Sequence, residues 1–259
     1  YEQALALYRE TGSRSGEALT LSNLATIYFD QGDLDSSARM FEESLAIRRA
    51  IGDKPGMAMA LGNLGAVEMA RGQLSAAKAR YQQALALGRE TSNKSQEAQS
   101  MFDLGEVFLA EGDFAAARRN HEEVLSIRTA IGETVDLAYS RLALAGVSLE
   151  EGKVGEAEVQ ARLAAGAFRQ QDSASGALAA LALAARACLA QNQPARAEAC
   201  LTEGRPLQKN NSDRDSRARF AIAEAEAASA SGRAAIARRQ LEALLADAGK
   251  SGLVLIGME

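Results

Sequence analysis

The sequence predicts an all-α fold, a solenoid of antiparallel helix pairs, and three observations point to it. Gly32, Gly72, Gly112, Gly152, Asn192 and Gly232 stand forty residues apart without insertion or deletion. A second series, Gly12, Gly52, Ser92, Gly132, Asp172 and Ser212, runs at the same interval about midway between them. Between these points apolar residues recur at spacings of three and four, the period of a helix with one buried face, and strand-like alternation is missing. The composition agrees: 55 of 259 residues are Ala, aromatics make up 5%, Pro occurs 3 times and Trp not at all, which favours helix over a β-sandwich. With 47% hydrophobic side chains the chain can bury a sizeable core.

Gly, Asn, Asp and Ser accept left-handed or turn backbone, so both series read as helix-ending turns and each forty-residue unit holds two helices. The chain then forms a single array: a partial unit over 1–12, full units over about 13–52, 53–92, 93–132, 133–172, 173–212 and 213–252, and the start of another over 253–259. Residues 1–7 align with residues 81–87, so the array opens part-way through a second helix. In the first full unit the helices fall at 16–31 and 35–51. Asp33, Asp53 with Pro55 just inside, Ser75, Asp113 and Asp213 are the expected N-caps, able to accept hydrogen bonds from free first-turn amides. In the fifth unit Pro206 stands where earlier units have Ala46, Ala86, Ser126 and Gly166, and is expected to end or kink its helix near Gly204, with a polar loop over 209–215. Gly252 falls on the turn series. With no polar terminal unit at either end, apolar surface and self-association through the ends are expected.

Small residues share one phase of the first helices, Ala25, Gly65, Gly105, Ala145, Ala185 and Ala225, and one phase of the second, Ser37, Ala77, Ala117, Ala157, Ala197 and Ala237. Glycine inside a helix costs roughly 1 kcal/mol relative to alanine, so Gly65 and Gly105 imply close approach by a neighbouring backbone. Leu24, Leu64, Leu104 and Leu144, with Phe41, Tyr81 and His121, form the core columns. Toward the carboxyl end these give way to Ala161 and Leu201, and to Ala184 and Glu224, which predicts thinner packing.

The columns, written as Leu24-Ala25, Tyr28, Gly32, Ser37 and Phe41, resemble the tetratricopeptide repeat (TPR) in a forty-residue form, and the resemblance covers essentially the whole chain. It implies a right-handed superhelix. Such repeats resemble those of kinesin light chains, spindle-orientation adaptors, and bacterial regulators or kinases that carry a helical sensor or docking array.

Chemistry is scarce. The net charge of −5, with no basic face, opposes nucleic-acid binding, and no apolar run approaches the roughly 18 to 20 residues that span a bilayer. Two cysteines and one histidine provide neither a disulfide framework nor a zinc spacing, and a reducing, cytoplasmic setting is expected. His121 reads as core, Cys188 as inward-facing and Cys200 as more exposed. Asn93-Lys94-Ser95 and Asn210-Asn211-Ser212 read as chance matches to a glycosylation acceptor in polar turns, and Arg48-Arg49, Arg118-Arg119 and Arg238-Arg239 as solvated outer faces. No catalytic residue, cofactor or metal is expected, and the chain does not read as an enzyme.

What remains is the concave side that stacked helix pairs line with their first helices. By helical phase this groove presents Leu19, Ser22, Asn23, Thr26 and Phe29; then Met59, Gly62, Asn63, Ala66 and Met69; then Gln99, Phe102, Asp103, Glu106 and Leu109. It continues with Tyr139, Leu142, Leu149, Glu150, Leu183, Arg186, Arg219 and Glu226, of both charge signs. Asn23 and Asn63 share one phase, and an amide that both donates and accepts suits an extended peptide backbone. In related repeats asparagine at this place contacts bound peptides, a role the resemblance carries to Asn23 and Asn63 alone, since Asp103 and Ala143 break the series. The binding groove is therefore expected at Asn23, Thr26, Phe29, Met59, Asn63, Met69, Gln99, Phe102, Asp103, Glu106, Leu109, Tyr139 and Leu142. The expected function is a protein–protein interaction scaffold for a peptide or partner protein. The alternative is a sensory or regulatory TPR module of a larger bacterial signalling protein, a transcription regulator or kinase.

Overall fold

A computed structural model of the chain describes residues 1–209 and 211–251, and among these residues it contains thirteen helices and no strand. They are α1 (Glu2–Thr11), α2 (Arg14–Asp30), α3 (Leu34–Ile51), α4 (Lys54–Ala70), α5 (Leu74–Glu90), α6 (Lys94–Ala110), α7 (Phe114–Ile131), α8 (Thr134–Glu150), α9 (Val154–Gln170), α10 (Ala174–Ala190), α11 (Pro194–Gln208), α12 (Arg214–Ala230) and α13 (Ala234–Ser251). The all-α reading holds. Asn210, Gly252 and the segment 253–259 lie outside the described residues. The chain divides into two compact units, one spanning Tyr1–Ile131 with α1 to α7, the other beginning at Gly132 with α8 to α13. In the first, α2 packs on α3, α4 on α5 and α6 on α7, and the pairs join through α3–α4, α5–α6 and α4–α6. In the second, α8–α9, α10–α11 and α12–α13 are the pairs, joined through α9–α10, α10–α12 and α11–α12.

The glycine series works as a compact double device. Gly32 (φ 81°) takes the left-handed conformation after α2, and the Asp33 amide donates back to the Tyr28 carbonyl at 2.9 Å. The same Asp33 then caps α3, its carboxylate accepting from the Ser36 amide at 3.0 Å. At this turn one residue closes a helix and opens the next. Ser92, Asp172 and Asn192 hold the left-handed backbone where glycine is absent, at φ 54° to 56°. Asp53, Asp113 and Asp213 cap as expected. Ser75 does not: α5 starts from Gln73, and Ser75 lies inside its first turn. Asn93 and Ser173 are additional caps.

Pro206 does not end α11 near Gly204; the helix runs on to Gln208, two residues short of the equivalent point in α9. A proline this close to a C-terminus removes one hydrogen bond in the final turn, and no further turn depends on it. The polar loop is shorter than expected, ending at Asp213, where the Asn211 side chain accepts from the Asp213 amide at 2.9 Å. Ser212 is not among the left-handed positions.

Both small-residue series are buried from end to end, as are the leucine column and Phe41, Tyr81 and His121. The approach to Gly65 and Gly105 comes from rings, not from backbone. A Cβ at Gly65 would stand 2.5 Å from Tyr81 Cε1, and one at Gly105 would stand 2.5 Å from His121 Cε1. A third size exchange was hidden in the sequence: the Tyr8 ring covers Gly16, the Arg48 guanidinium covers Gly56, and the Phe168 ring covers Gly176. Arg48 is accordingly buried and bonded to Asp53 at 2.9 Å, which corrects its reading as a solvated outer residue; Arg49, Arg119, Arg238 and Arg239 are exposed. Cys200 is also buried rather than exposed. Its column is half-buried at Arg80, Asn120 and Gln160, whose long side chains reach water while a short thiol stays inside.

Thinner packing is not what α8 to α11 show: a continuous cluster, reaching into α12, has its alanines closed around Phe168, Leu178, Leu181, Leu201 and Phe220. Between α12 and α13 the core is smaller, a separate cluster of Ala225, Ala228 and Ala237 with Leu241. Volume lost from the large column is restored by Phe168 against Gly176 and Phe220 against Gly204.

Buried carboxylates tie consecutive pairs together. Glu17 holds Arg9 at 3.0 Å and Arg14 at 2.7 Å, and eighty residues later Glu97 holds Arg89 at 3.0 Å and Lys94 at 2.6 Å. The two cations hold the Glu97 carboxyl below its ordinary value, Lys94 first. Since the folded value lies below the unfolded one, this contribution is present above the unfolded value and fades as pH falls through the folded one. Glu97→Gln is expected to cost about 1 kcal/mol at pH 7, the exposed ends of both cations limiting the gain, and less at pH 3. Urea unfolding at both pH values checks this.

Candidate functional site

The first unit presents one face from α2, α4 and α6. Asn23 and Asn63 occupy the same position on α2 and α4, both half-buried, and neither amide makes a hydrogen bond with any described residue. Leu19 (53% exposed) and Met59 (54%) flank them as open apolar side chains. Thr26 is exposed, its hydroxyl donating to the Ser22 carbonyl at 3.1 Å within α2. Phe29 and Met69 are half-buried against the core, and Leu109 is half-buried near the end of α6.

On α6 the face turns polar, and α7 supplies its support. Phe102 does not reach freely outward. Its ring meets His121 edge-on at 5.2 Å between centroids, and the Arg128 guanidinium lies 5.1 Å from its centroid. Arg128 donates to the Gln99 side-chain oxygen at 2.9 Å, and the Gln99 amide donates to Asp103 at 2.9 Å. This chain of donors does not offset burial: the Asp103 carboxyl is pushed up to about 7, first by desolvation, with the neighbouring Glu106 adding to the rise. Glu106 stands 3.2 Å from Nε2 of the fully buried His121, off the line of an aligned hydrogen bond. The Tyr81 hydroxyl is raised by burial and by these two carboxylates. The third position of the Asn23–Asn63 series therefore holds an acid that is close to half-protonated near neutral pH.

In the second unit, Tyr139 of α8 is 42% exposed, its ring edge-on to Phe168 at 4.7 Å, and Leu142 packs on the core. Neither opens a groove. An open depression of about 390 Å³ lies further along the same helices, lined by Leu149, Glu150, Arg186, Leu189, Ala190, Glu226 and Ala230. Arg186 bridges α10 to α12, its Nε lying 3.0 and 3.2 Å from the two Glu226 oxygens. Phase alone identified Leu149, Glu150, Arg186 and Glu226; that Ala190 and Ala230 hollow the surface between them had no signal beyond their small size. Arg219 turns instead to Asp215 on its own helix, at 2.6 Å.

The two thiols are inert. Cys188 is pushed up to about 12, first by burial and then by Glu158, and burial also raises Cys200.

A family model described as the MalT-like TPR region matches residues 2–259. No curated protein matches the chain in sequence. Among solved structures, the chain is similar to kinesin light chain TPR-like repeats from Podosopora anserina, at 22% identity over 75% of this chain and 95% of that one, with a TM-score of 0.60. It is similar to a Rap protein complexed with Competence and Sporulation Factor, at 13% identity over 92% and 76%, TM-score 0.71. It is also similar to a signal-transduction ATPase with a tetratricopeptide repeat sensor from Pyrococcus horikoshii, at 18% identity over 93% of this chain and 36% of that one, TM-score 0.68. At these identities the likeness concerns the fold.

Proposed function

The chain belongs to the MalT-like TPR family, and we propose that it docks a peptide or partner protein along the face of its first helices. The observation that carries this reading is the pair of amides at Asn23 and Asn63, half-buried, one repeat apart and without hydrogen bonds to described residues. Each offers a donor and an acceptor to an extended backbone, a net gain of about 0.5–1.5 kcal/mol per bond formed, and Leu19 and Met59 beside them offer apolar contact. The likeness to a Rap protein solved with Competence and Sporulation Factor supports the same reading. A second reading, a sensory module within a larger bacterial signalling protein, is supported by the likeness to a repeat sensor that forms 36% of its chain. Both readings include a cytoplasmic location, in keeping with two free cysteines; no described helix is long and apolar enough to cross a membrane.

The test uses twelve-residue peptides selected from a random display library on the immobilised protein. Fluorescence anisotropy then compares wild type with Asn23→Ala/Asn63→Ala/Met59→Glu. Phe102 is left intact because its stack on His121 and Arg128 is structural. At least tenfold weaker binding with an unchanged melting temperature is expected. Equal affinity removes the assignment to this face.

A further inference from the structure

The depression in the second unit has an unbalanced charge. Arg186 and Glu226 neutralise one another across it, with Nε 3.0 Å from the nearer oxygen. Glu150 makes no hydrogen bond or ion pair with any described residue, whereas its neighbour Glu151 is paired with Lys153 at 2.8 Å. Glu150 also stands in the last turn of α8, at the negative end of the helix dipole, where a carboxylate is disfavoured. Its side chain is exposed, so this charge stands open at the rim of the depression. The floor is apolar: Leu149 and Leu189 are half-buried, and Ala190 sits on α10 at the position Glu150 holds on α8. Nothing lies within 4 Å of a Cβ built at Gly146, one turn before Glu150 on the same face, so the approach is open.

We propose that this depression is a subsite for one basic side chain, arginine or lysine, of a docked polypeptide. The aliphatic stem lies on Leu149 and Leu189, and the cationic head pairs with Glu150. An anionic group would meet Glu150 as a like charge, and a purely apolar one would strip water from it without replacing the lost hydrogen bonds. The proposal rests on the first-helix face being the docking face and adds the chemistry of its partner.

The experiment is an amide NMR titration of the whole chain with N-acetyl-arginine N-methylamide and, separately, with the citrulline analogue, which keeps the shape and removes the charge. Saturable shifts at Leu149, Glu150, Arg186 and Leu189 are expected in the millimolar range with arginine, at least fivefold weaker with citrulline and at least fivefold weaker in Glu150→Gln. Equal response to citrulline, unchanged affinity in Glu150→Gln, or no saturable shift at these residues overturns the subsite. Asn23→Ala/Asn63→Ala is expected to keep the arginine response. Loss of the arginine response while selected peptides still bind sinks the subsite alone; loss of both sinks the docking face.

Discussion

Gly105→Ala is expected to destabilise the protein by about 1–2 kcal/mol, although alanine is the better helix former by about 1 kcal/mol. The new methyl would meet three atoms of the His121 imidazole, at 2.5, 2.7 and 3.0 Å, and that ring is also in edge-on contact with Phe102. Ala25 already faces Phe41 in this position, so the pair can open enough to keep the cost at the low end of overpacking. Two controls separate packing from propensity. Gly166→Ala, where nothing lies within 4 Å of the added carbon, is expected to stabilise by about 0.5–1 kcal/mol. Gly105→Ala combined with His121→Ala reproduces the Ala145–Ala161 pairing of a later repeat and is expected to show favourable coupling in a double-mutant cycle. Additive single effects in urea melts would show that His121 and Gly105 do not share one packing unit.

Asp103→Asn is expected to stabilise the fold by about 1–2 kcal/mol at pH 8 and to leave it nearly unchanged at pH 4, the figure being reduced because the carboxyl is only half-buried. The Asp103 carboxyl sits at about 7 in the folded chain against about 3.9 unfolded. Between these values the folded state keeps a proton that the unfolded state has released, so stability falls as pH rises from about 4 to about 7 and is level above. Asparagine keeps the acceptor for the Gln99 amide and removes the charge that faces Glu106. The variant's stability should therefore lose this slope. A variant less stable than wild type at pH 8, or one with the same slope, would mean that the carboxylate is well solvated.

The forty-residue series located every turn in the first unit because a left-handed residue must fall at a fixed place for two helices to reverse within three residues. Ser75 and Pro206 misled for a shared reason: caps and breakers act through their distance from a helix end, and that end is set by neighbouring packing. Size exchanges such as Tyr8 over Gly16 or Phe168 over Gly176 join columns eight residues apart on different helices, and neither column is informative alone. The face of the first helices was legible as a phase. Which of its residues are free was not, because Phe102, a groove residue by position, is taken up by His121 and Arg128.

The sequence by itself determined the class of fold, the interval, the two helices of each repeat and the small-residue seams, since all of these follow from local backbone preference and helical period. Only the tertiary structure decided how individual polar groups are partnered: the Asn23 and Asn63 amides on α2 and α4 and the Glu150 carboxylate at the end of α8 bond to no described residue, while Asp103 on α6 accepts from Gln99 and is pushed up by burial. Desolvation and pairing depend on what the neighbouring helix places within a few ångströms, and no periodicity along one chain encodes that distance.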